Sequence, residues 1–329
     1  MDMEINNPLK LVIMMPVYND MGVAELLIKK LDNVLDARTV TVTVVLIDDG
    51  STVPIGREFL KGPLKNISSV DIIYLKRNLG HQRAIAVGLT YLHEKNSCDA
   101  VIVMDADGED KPEDVPRLVK RFKDAGGDKI IFAARARRSE GFVFKFFYKM
   151  FQIMHYILTG IPIKVGNFSI VPFDRLSALT VVSELWNHYA AAVFSSRVPY
   201  ETLPTSRGNR LGGISKMNFT ALVLHGLSAI SVFTDLAGVR LLLFSFFLSF
   251  LLIAFLLFIL VARITSILII PEWLSYSTIF LLILLLQISL GCFSMVFFML
   301  INRSNMNFIP YRDCRHFVGA IKTVYAKKQ

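Results

Sequence analysis

The chain has 329 residues, of which 53% are hydrophobic, and it carries a formal net charge of +9 at pH 7. Its mean hydropathy of +0.49 is too high for an ordinary soluble domain, although the first two thirds carry charges at normal density. The three cysteines are few and scattered, so they indicate neither a disulfide framework nor a zinc site. The positive charge fits an anionic lipid surface; nucleic acid would also explain it, but no nucleic-acid-binding motif is present.

Strands and helices alternate along the first part of the chain. Apolar, β-branched runs predict strands at 11–15, 40–47, 71–75, 100–104 and 130–133. Helical spacing predicts helices between them at 24–35, 83–92 and 112–122. This alternation predicts an α/β domain with a doubly wound, mainly parallel sheet. Such sheets bind their ligands at the carboxyl ends of the strands.

Polar segments follow four of the predicted strands. They are Pro16-Val17-Tyr18-Asn19-Asp20, Asp48-Asp49-Gly50-Ser51, Arg77-Asn78-Leu79-Gly80-His81-Gln82 and Asp105-Ala106-Asp107. Each segment alone is compatible with a turn or a helix cap, but four at one edge of one sheet predict a binding site. Two carboxylates one residue apart after a buried strand are costly unless a cation compensates them. Asp105 and Asp107 therefore predict a hard divalent metal that carries a diphosphate.

Two uncharged apolar stretches occupy the C-terminal third of the chain. Each is long enough to cross a hydrocarbon core of about 30 Å, so they predict transmembrane helices at about 238–262 and 274–301. The alternative, two buried core helices, does not fit surfaces without a polar face. The N-terminus lacks a signal-peptide pattern, and basic residues follow the second stretch. Both termini are therefore expected in the cytoplasm, with a short hairpin tip outside.

Two further helices are predicted at the membrane surface. Residues at about 141–158 combine apolar side chains with lysines, which is typical of an interfacial helix, although a core helix is the alternative. Residues 219–235 are also amphipathic and form the predicted juxtamembrane helix. The expected organisation is a cytoplasmic α/β domain over 1–218, a transmembrane region over 236–302 and a basic cytoplasmic tail over 303–329.

Six segments together resemble a known enzyme family. They are Met15-Pro16-Val17-Tyr18-Asn19, Ile47-Asp48-Asp49-Gly50-Ser51, Arg77-Asn78-Leu79-Gly80, the run from Asp105 to Glu113, Ala134-Arg135, and Arg210-Leu211-Gly212-Gly213-Ile214-Ser215-Lys216. On these residues the chain resembles the family 2 glycosyltransferases of the GT-A fold. It is most similar to the membrane-bound polyprenyl-phosphate glycosyltransferases related to dolichol-phosphate mannose synthase, and the paired apolar helices extend the resemblance.

The resemblance implies a nucleotide-diphospho-sugar donor, expected to be UDP-linked, with Mg²⁺ or Mn²⁺ on its diphosphate. The implied metal ligands are Asp105, Asp107 and Glu109, the last at a position where relatives commonly carry Gln. Arg135 is expected to bind the phosphate or the sugar of the donor. The implied nucleotide-sugar site consists of Pro16, Tyr18, Asn19, Asp48, Asp49, Arg77, Asn78, Gly80, Asp105 and Ala106.

The acceptor implied by the resemblance is polyprenyl (undecaprenyl) phosphate. Arg210, Ser215 and Lys216 are expected to hold its phosphate, with a plain basic surface loop as the alternative. An ionised phosphate attacks the anomeric carbon without a strong base and inverts it. The expected catalytic residues are Asp107, Arg135, Arg210, Ser215 and Lys216. Relatives carry Gly-Asp-Phe-Arg in a loop where this chain has Gly166-Asn167-Phe168-Ser169, and this departure bears on the acceptor rather than on glycosyl transfer.

Two other functions stay open on the sequence. The first is transfer of the sugar to a hydroxyl of a glycolipid or growing glycan, which needs a carboxylate base such as Asp110 or Glu113. The second is a non-catalytic membrane partner with a degenerate transferase domain. The expected location is the cytoplasmic (inner) membrane, with donor, acceptor and lipid bilayer as partners and no nucleic acid. The resemblance also implies a homo-oligomer formed through the apolar helices.

Overall fold

The chain forms two compact units. The computed structural model describes residues 8–56, 58–95, 98–135, 142–162, 165–212, 219–265, 271–303 and 308–327. One unit comprises residues 1–145, 164–232 and 308–329, and the other comprises residues 146–163 and 233–307. The first contains the sheet, and the second contains the long apolar helices.

Within the described residues, eight strands form one mixed sheet. They are β1 Leu9–Val17, β2 Val40–Asp48, β3 Ile67–Leu75, β4 Ala100–Val103, β5 Ile130–Arg135, β6 Val165–Pro172, β7 Tyr200–Thr205 and β8 Val318–Ala326. Their order is β7-β5-β6-β4-β1-β2-β3-β8. The pairs β1–β2, β1–β4, β2–β3 and β5–β7 are parallel, whereas β6 and β8 run antiparallel to their neighbours. This mostly parallel sheet confirms the predicted α/β class.

Helices connect these strands and continue beyond them. They are α1 Met21–Val34, α2 His81–Lys95, α3 Asp114–Asp124, α4 Phe142–Thr159, α5 Phe173–Thr180, α6 Tyr189–Ser195, α7 Phe219–Ser231, α8 Thr234–Ile264, α9 Glu272–Arg303 and α10 Pro310–Asp313. Successive residues of a strand point to opposite faces, so the central strand β1 contributes to two cores. Ile13 packs in the cluster that contains α1 and α3, and Met14 packs in the cluster that contains α2 and α5. Covering both faces explains why most residues of the central strands are apolar.

Three strands were not predicted from the sequence, and two of them change the expected organisation. Residues 166–169, expected in a loop, belong to β6, which lies between β4 and β5. The segment 303–329, expected to be a basic tail, contains β8, which pairs with β3 so that Ile321 faces Ile73. The end of the chain therefore covers the outer edge of β3, whose backbone groups need partners.

The second unit is built on apolar helices. In the described part of the chain, two helices, Thr234–Ile264 and Glu272–Phe298, are long and apolar enough to cross a membrane by length and composition. Phenylalanines such as Phe250 and Phe298 are exposed along them. Most of α4 belongs to the same unit, where Arg240 donates a hydrogen bond to the carbonyl oxygen of Ile157 at 3.0 Å. Apolar side chains of α4, among them those of Ile153 and Ile157, are exposed.

Candidate active site

The loops that follow β1 and β2 are joined by Asn19. Its backbone has a φ of 55°, a left-handed conformation that asparagine tolerates. Its side-chain oxygen accepts hydrogen bonds from the backbone amides of Thr52 at 2.8 Å and Val53 at 3.1 Å. The backbone N–H of Asn19 donates a hydrogen bond to Ser51 Oγ at 2.8 Å. Asn19 thus fixes the neighbouring Tyr18, whose ring is exposed at this edge of the sheet.

Asp49 holds the loop that follows β3. Its two carboxylate oxygens accept hydrogen bonds from the amides of Leu79 at 2.7 Å and Gly80 at 2.9 Å, and the residue is only 3% exposed. Burial raises the pKa of Asp49 above its ordinary value, and the two amide hydrogen bonds only partly offset this rise. In this structure Asp49 therefore bonds to the protein backbone; its predicted contact with the nucleotide stays a prediction.

The turn after β2 brings this loop close. Gly50 has a φ of +70°, and a side-chain Cβ there would lie 2.6 Å from the amide nitrogen of Asn78, so only glycine fits. Asp48 closes the turn by accepting a hydrogen bond from the amide of Ser51 at 2.9 Å. Arg77 and Asn78 expose their side chains, whereas Pro16 is buried within β1. Segments from three strand ends thus meet at one edge.

The acidic segment after β4 forms a tight turn at the same edge. Asp107 accepts a hydrogen bond from the amide of Glu109 at 2.9 Å, and Gly108 between them has a φ of +82°. Asp110, which is 3% exposed, accepts a hydrogen bond from the amide of Asp105 at 3.0 Å. Asp110 therefore closes the turn, while Asp105 and Asp107 remain partly exposed on either side of the buried Ala106.

The carboxylates of this turn repel one another. Burial raises the pKa of Asp107, and the negative charges of Asp105 and Glu109 raise it further. The hydrogen bond from the amide of Glu109 and the positive charge of Arg210 lower it, but the net effect is a rise. A cation would relieve this repulsion. Mg²⁺ and Mn²⁺ are commonly held by one or two carboxylates together with substrate phosphates, so Asp105 and Asp107 fit such an ion. Among the described residues, no group of three His, Cys, Asp or Glu side chains is arranged to hold a metal.

Glu109, the third expected metal ligand, forms an ion pair with Arg207. The Nε atom of Arg207 lies 2.9 Å from Glu109 Oε2, and an Nη atom contacts the same oxygen. Arg207 belongs to residues 206–212, which we call the strap because they run alongside the acidic turn. A role of Glu109 in metal binding stays a prediction, and its carboxylate is engaged by the strap in this structure.

Arg210 of the strap bridges two loops. Its Nη1 atom lies 3.3 Å from Asp107 Oδ2, and its Nη2 atom lies 3.2 Å from Asp20 Oδ2. Its Nε atom donates to the carbonyl oxygen of Gly212 at 2.9 Å, which orients the guanidinium. The structure therefore brings the expected phosphate-binding arginine to the expected metal-binding aspartate.

His81, which was not among the predicted site residues, lies beside Asp105. Its Nε2 atom is 3.1 Å from Asp105 Oδ1 and 3.0 Å from the side-chain nitrogen of Asn167. Burial lowers the pKa of His81, but the charges of Asp105, Asp110 and Asp107 raise it and prevail. The sequence could have indicated His81 as a site residue, because it directly follows Gly80 in the polar segment after β3, at the start of α2.

The two positions that depart from the relatives have different surroundings. Asn167 accepts a hydrogen bond from Gln82 Nε2 at 3.2 Å and thus joins the polar edge. Ser169 is 0% exposed, and its hydroxyl lies 2.7 Å from the hydroxyl of the equally buried Tyr189. The serine is therefore part of the core, while the asparagine belongs to the site.

Three predicted catalytic residues have side chains outside the described residues. Arg135 ends β5, where its backbone pairs in register with Thr205, but its side chain is not described. Ser215 and Lys216 fall between the strap and α7, outside the described ranges. Their roles stay predictions.

Comparisons with known proteins show the family to which the chain belongs. The pattern of the family described as Glycosyl transferase family 2 matches residues 12–179. An uncharacterized glycosyltransferase, YkcC of Bacillus subtilis, is 32% identical over 48% of this chain and 48% of its own. The undecaprenyl-phosphate 4-deoxy-4-formamido-L-arabinose transferase of Yersinia pestis is 31% identical over 48% of this chain and 47% of its own. The chain thus spans about half the length of the curated relatives it matches.

Solved structures also resemble the chain. One is glucosyl-3-phosphoglycerate synthase from Mycobacterium tuberculosis in complex with Mn²⁺, uridine-diphosphate-glucose and phosphoglyceric acid. It is 16% identical, with a TM-score of 0.46 over 70% of this chain and 80% of that one. The family pattern covers the strands that build the acidic turn and its neighbouring loops, and it confirms the resemblance noted in the sequence. The chain belongs to glycosyl transferase family 2.

Proposed function

We propose that the protein transfers a hexose-type sugar from a UDP-linked donor to undecaprenyl phosphate at the cytoplasmic face of the inner membrane. The observation that carries this proposal is the meeting of Asp107 and Arg210 at the carboxyl edge of the sheet. A carboxylate suited to a divalent cation and a guanidinium suited to a phosphate lie in contact there. Both a diphosphate donor and an anionic acceptor need such groups.

The donor is proposed to bind across the loops that Asn19 and Asp49 fix. The exposed side chains of Tyr18, Arg77 and Asn78 are available at this edge for the nucleotide. Asp105 and Asp107 would hold Mg²⁺ or Mn²⁺, which when bound would neutralise the charge that develops on the leaving diphosphate.

The acceptor is proposed to be a phosphate rather than a hydroxyl. A phosphate monoester with a second pKa of about 6 is ionised near neutral pH and needs no general base. Asp110, one candidate base for a hydroxyl acceptor, is buried and bonded to the amide of Asp105. Arg210 would orient the attacking phosphate for direct displacement, which inverts the anomeric carbon. Relatives named as undecaprenyl-phosphate transferases support this choice.

The membrane arrangement is supported by how the chain returns to its sheet. Residues before α8 and residues after α9 both belong to the sheet-containing unit. If α8 and α9 each cross the bilayer once, the chain leaves and re-enters on one side, so both termini share the cytoplasmic face. The exposed apolar side chains of these helices would meet lipid.

Product analysis tests the proposal. The purified full chain is given Mn²⁺, a panel of UDP-hexoses, and as acceptor either undecaprenyl phosphate or a glycolipid with free hydroxyls. We expect it to use undecaprenyl phosphate and to form a lipid phosphosugar that mild acid cleaves. Asp107→Asn is expected to lower turnover at least about 100-fold because the leaving diphosphate loses its counter-charge. An acid-stable glycoside would instead establish a hydroxyl acceptor. Absence of turnover with every donor and acceptor would favour a non-catalytic partner.

A further inference from the structure

We infer that Glu109 is a positioning residue that anchors the strap through Arg207, rather than a ligand of the metal. This inference rests on the proposed function, because it concerns how Arg210 is presented to the acceptor phosphate. It divides the acidic turn into two parts: Asp105 and Asp107 face the cation, and Glu109 faces the protein.

The first support is the pairing of Glu109 itself. Its carboxylate accepts from Arg207, and both side chains are largely shielded from solvent. Both Arg207 contacts go to Oε2, so metal coordination by Glu109 would have to use Oε1 and would bring the cation beside the guanidinium, whose positive charge repels it.

The second support is that the backbone of the acidic turn also forms hydrogen bonds with the strap. The carbonyl oxygen of Glu109 accepts a hydrogen bond from the amide of Gly208 at 2.8 Å, and that of Asp107 accepts one from the amide of Leu211 at 2.9 Å. The approach is close, since a Cβ on Gly208 would lie only 2.7 Å from the carbonyl oxygen of Gly108. Side chain and main chain of the turn therefore fix the same segment.

The third support is the different position of the second arginine. Arg210 pairs with Asp107, the carboxylate best suited to the cation, and with Asp20. A cation on Asp107 would compete with Arg210 for that carboxylate, but it would leave the Arg207–Glu109 pair untouched. The pair would thus anchor the strap, and with it Arg210, whether or not Asp107 held a metal ion.

Three measurements on the full chain in detergent test the inference. Mn²⁺ binding in the presence of UDP is measured by titration calorimetry, the strap is probed by the rate of tryptic cleavage after Arg210, and KM is measured for undecaprenyl phosphate. The variants are Glu109→Ala, Asp107→Asn, and Glu109→Arg combined with Arg207→Glu, which reverses the pair. Glu58→Ala, at an exposed glutamate in the sheet-containing unit, is the matched control.

We expect Glu109→Ala to leave Mn²⁺ affinity within about threefold while cleavage after Arg210 and KM each rise about tenfold, since the charged hydrogen bond with Arg207 is lost. Asp107→Asn should lower Mn²⁺ affinity more than about 30-fold. The reversed pair should restore slow cleavage and low KM.

An equal loss of Mn²⁺ affinity in Glu109→Ala and Asp107→Asn would overturn the inference, and so would unchanged cleavage in Glu109→Ala. If the wild type turned over no donor, the proposed function would fail. Mn²⁺ binding and cleavage would still decide the role of Glu109, so the two failures are distinguishable.

Discussion

At the scale of single residues, several polar side chains build the site rather than face its ligands. The carboxylates of Asp49 and Asp110 accept hydrogen bonds from backbone amides, and Asn19 joins two loops. The sequence identified the segments that contain these residues, because paired aspartates after apolar strands are a strong pattern. The sequence did not distinguish their roles, because the roles of Asp49 and Asp107 depend on which groups lie next to each carboxylate in the folded protein. The Arg207–Glu109 pair was missed for the same reason, since its partners are 98 positions apart.

Asp49→Asn is expected to destabilise the sheet-containing unit. An asparagine has one acceptor oxygen where Asp49 now serves two amides, so one buried N–H loses its partner at a cost of about 1–3 kcal/mol. We expect Tm to fall by about 2–6 °C in a thermal melt of the detergent-solubilised protein. Asp124→Asn, at an exposed carboxylate, is the control; an equal fall in both variants would contradict a special role for Asp49.

The buried hydroxyl pair of Ser169 and Tyr189 gives a second prediction. Ser169→Ala and Tyr189→Phe should each cost about 1–3 kcal/mol of stability, because each leaves a buried hydroxyl without this partner. The double variant should cost clearly less than the sum, since the two residues interact. Additive losses in a double-mutant cycle from chemical denaturation would show that the two hydroxyls are not coupled.

At the scale of elements, the central parallel strands were predictable and the outer strands were not. β1, β2 and β4 are mostly apolar because both faces of the sheet are covered. β7 contains Pro204 and has an interrupted pattern of burial, and β8 is largely exposed. Their pairing partners lie far away in the sequence, so no local pattern reveals them. Asn167 was expected in a loop for the same reason: β6 forms by pairing with β4 and β5, and the sequence does not reveal these pairings.

Removal of β8 alone is expected to expose the edge of β3. A chain that ends at Phe317 should melt at lower temperature and aggregate in size-exclusion chromatography, because unpaired strand edges recruit other chains. The loss should include the hydrogen bond from the amide of Leu64 to the hydroxyl of Tyr325 at 2.9 Å. A chain that lacks only residues 328–329 serves as the control, and identical behaviour of both truncations would argue against a structural role for β8.

At the scale of the whole molecule, the proposed topology joins one sheet-containing unit to a hairpin of two apolar helices. The length and composition of the helices were readable from the sequence. The pairing of β8 with β3 could not be read from the sequence, because the basic residues after the second helix indicated only a charged tail. Both features lead to the same expected orientation.

Cysteine labelling tests that orientation. Glu272→Cys, at the start of α9, should react with an impermeant maleimide in intact cells, whereas Lys327→Cys should react only after permeabilisation. Background from two native cysteines should be low, because burial raises the pKa of Cys98 and of Cys314 to about 12 and keeps the thiols protonated. Labelling of Lys327→Cys from outside would refute the shared cytoplasmic face.

The position of β8 has a consequence for biosynthesis. The ribosome makes the partner of β3 only after it has made both apolar helices. In the nascent chain β3 therefore keeps an uncovered edge until residues 318–326 have been made. If the two apolar helices insert into the membrane as proposed, the sheet is completed only after their synthesis, and a chain that stops before β8 keeps an unpaired strand edge that chaperones and quality-control proteases can recognise.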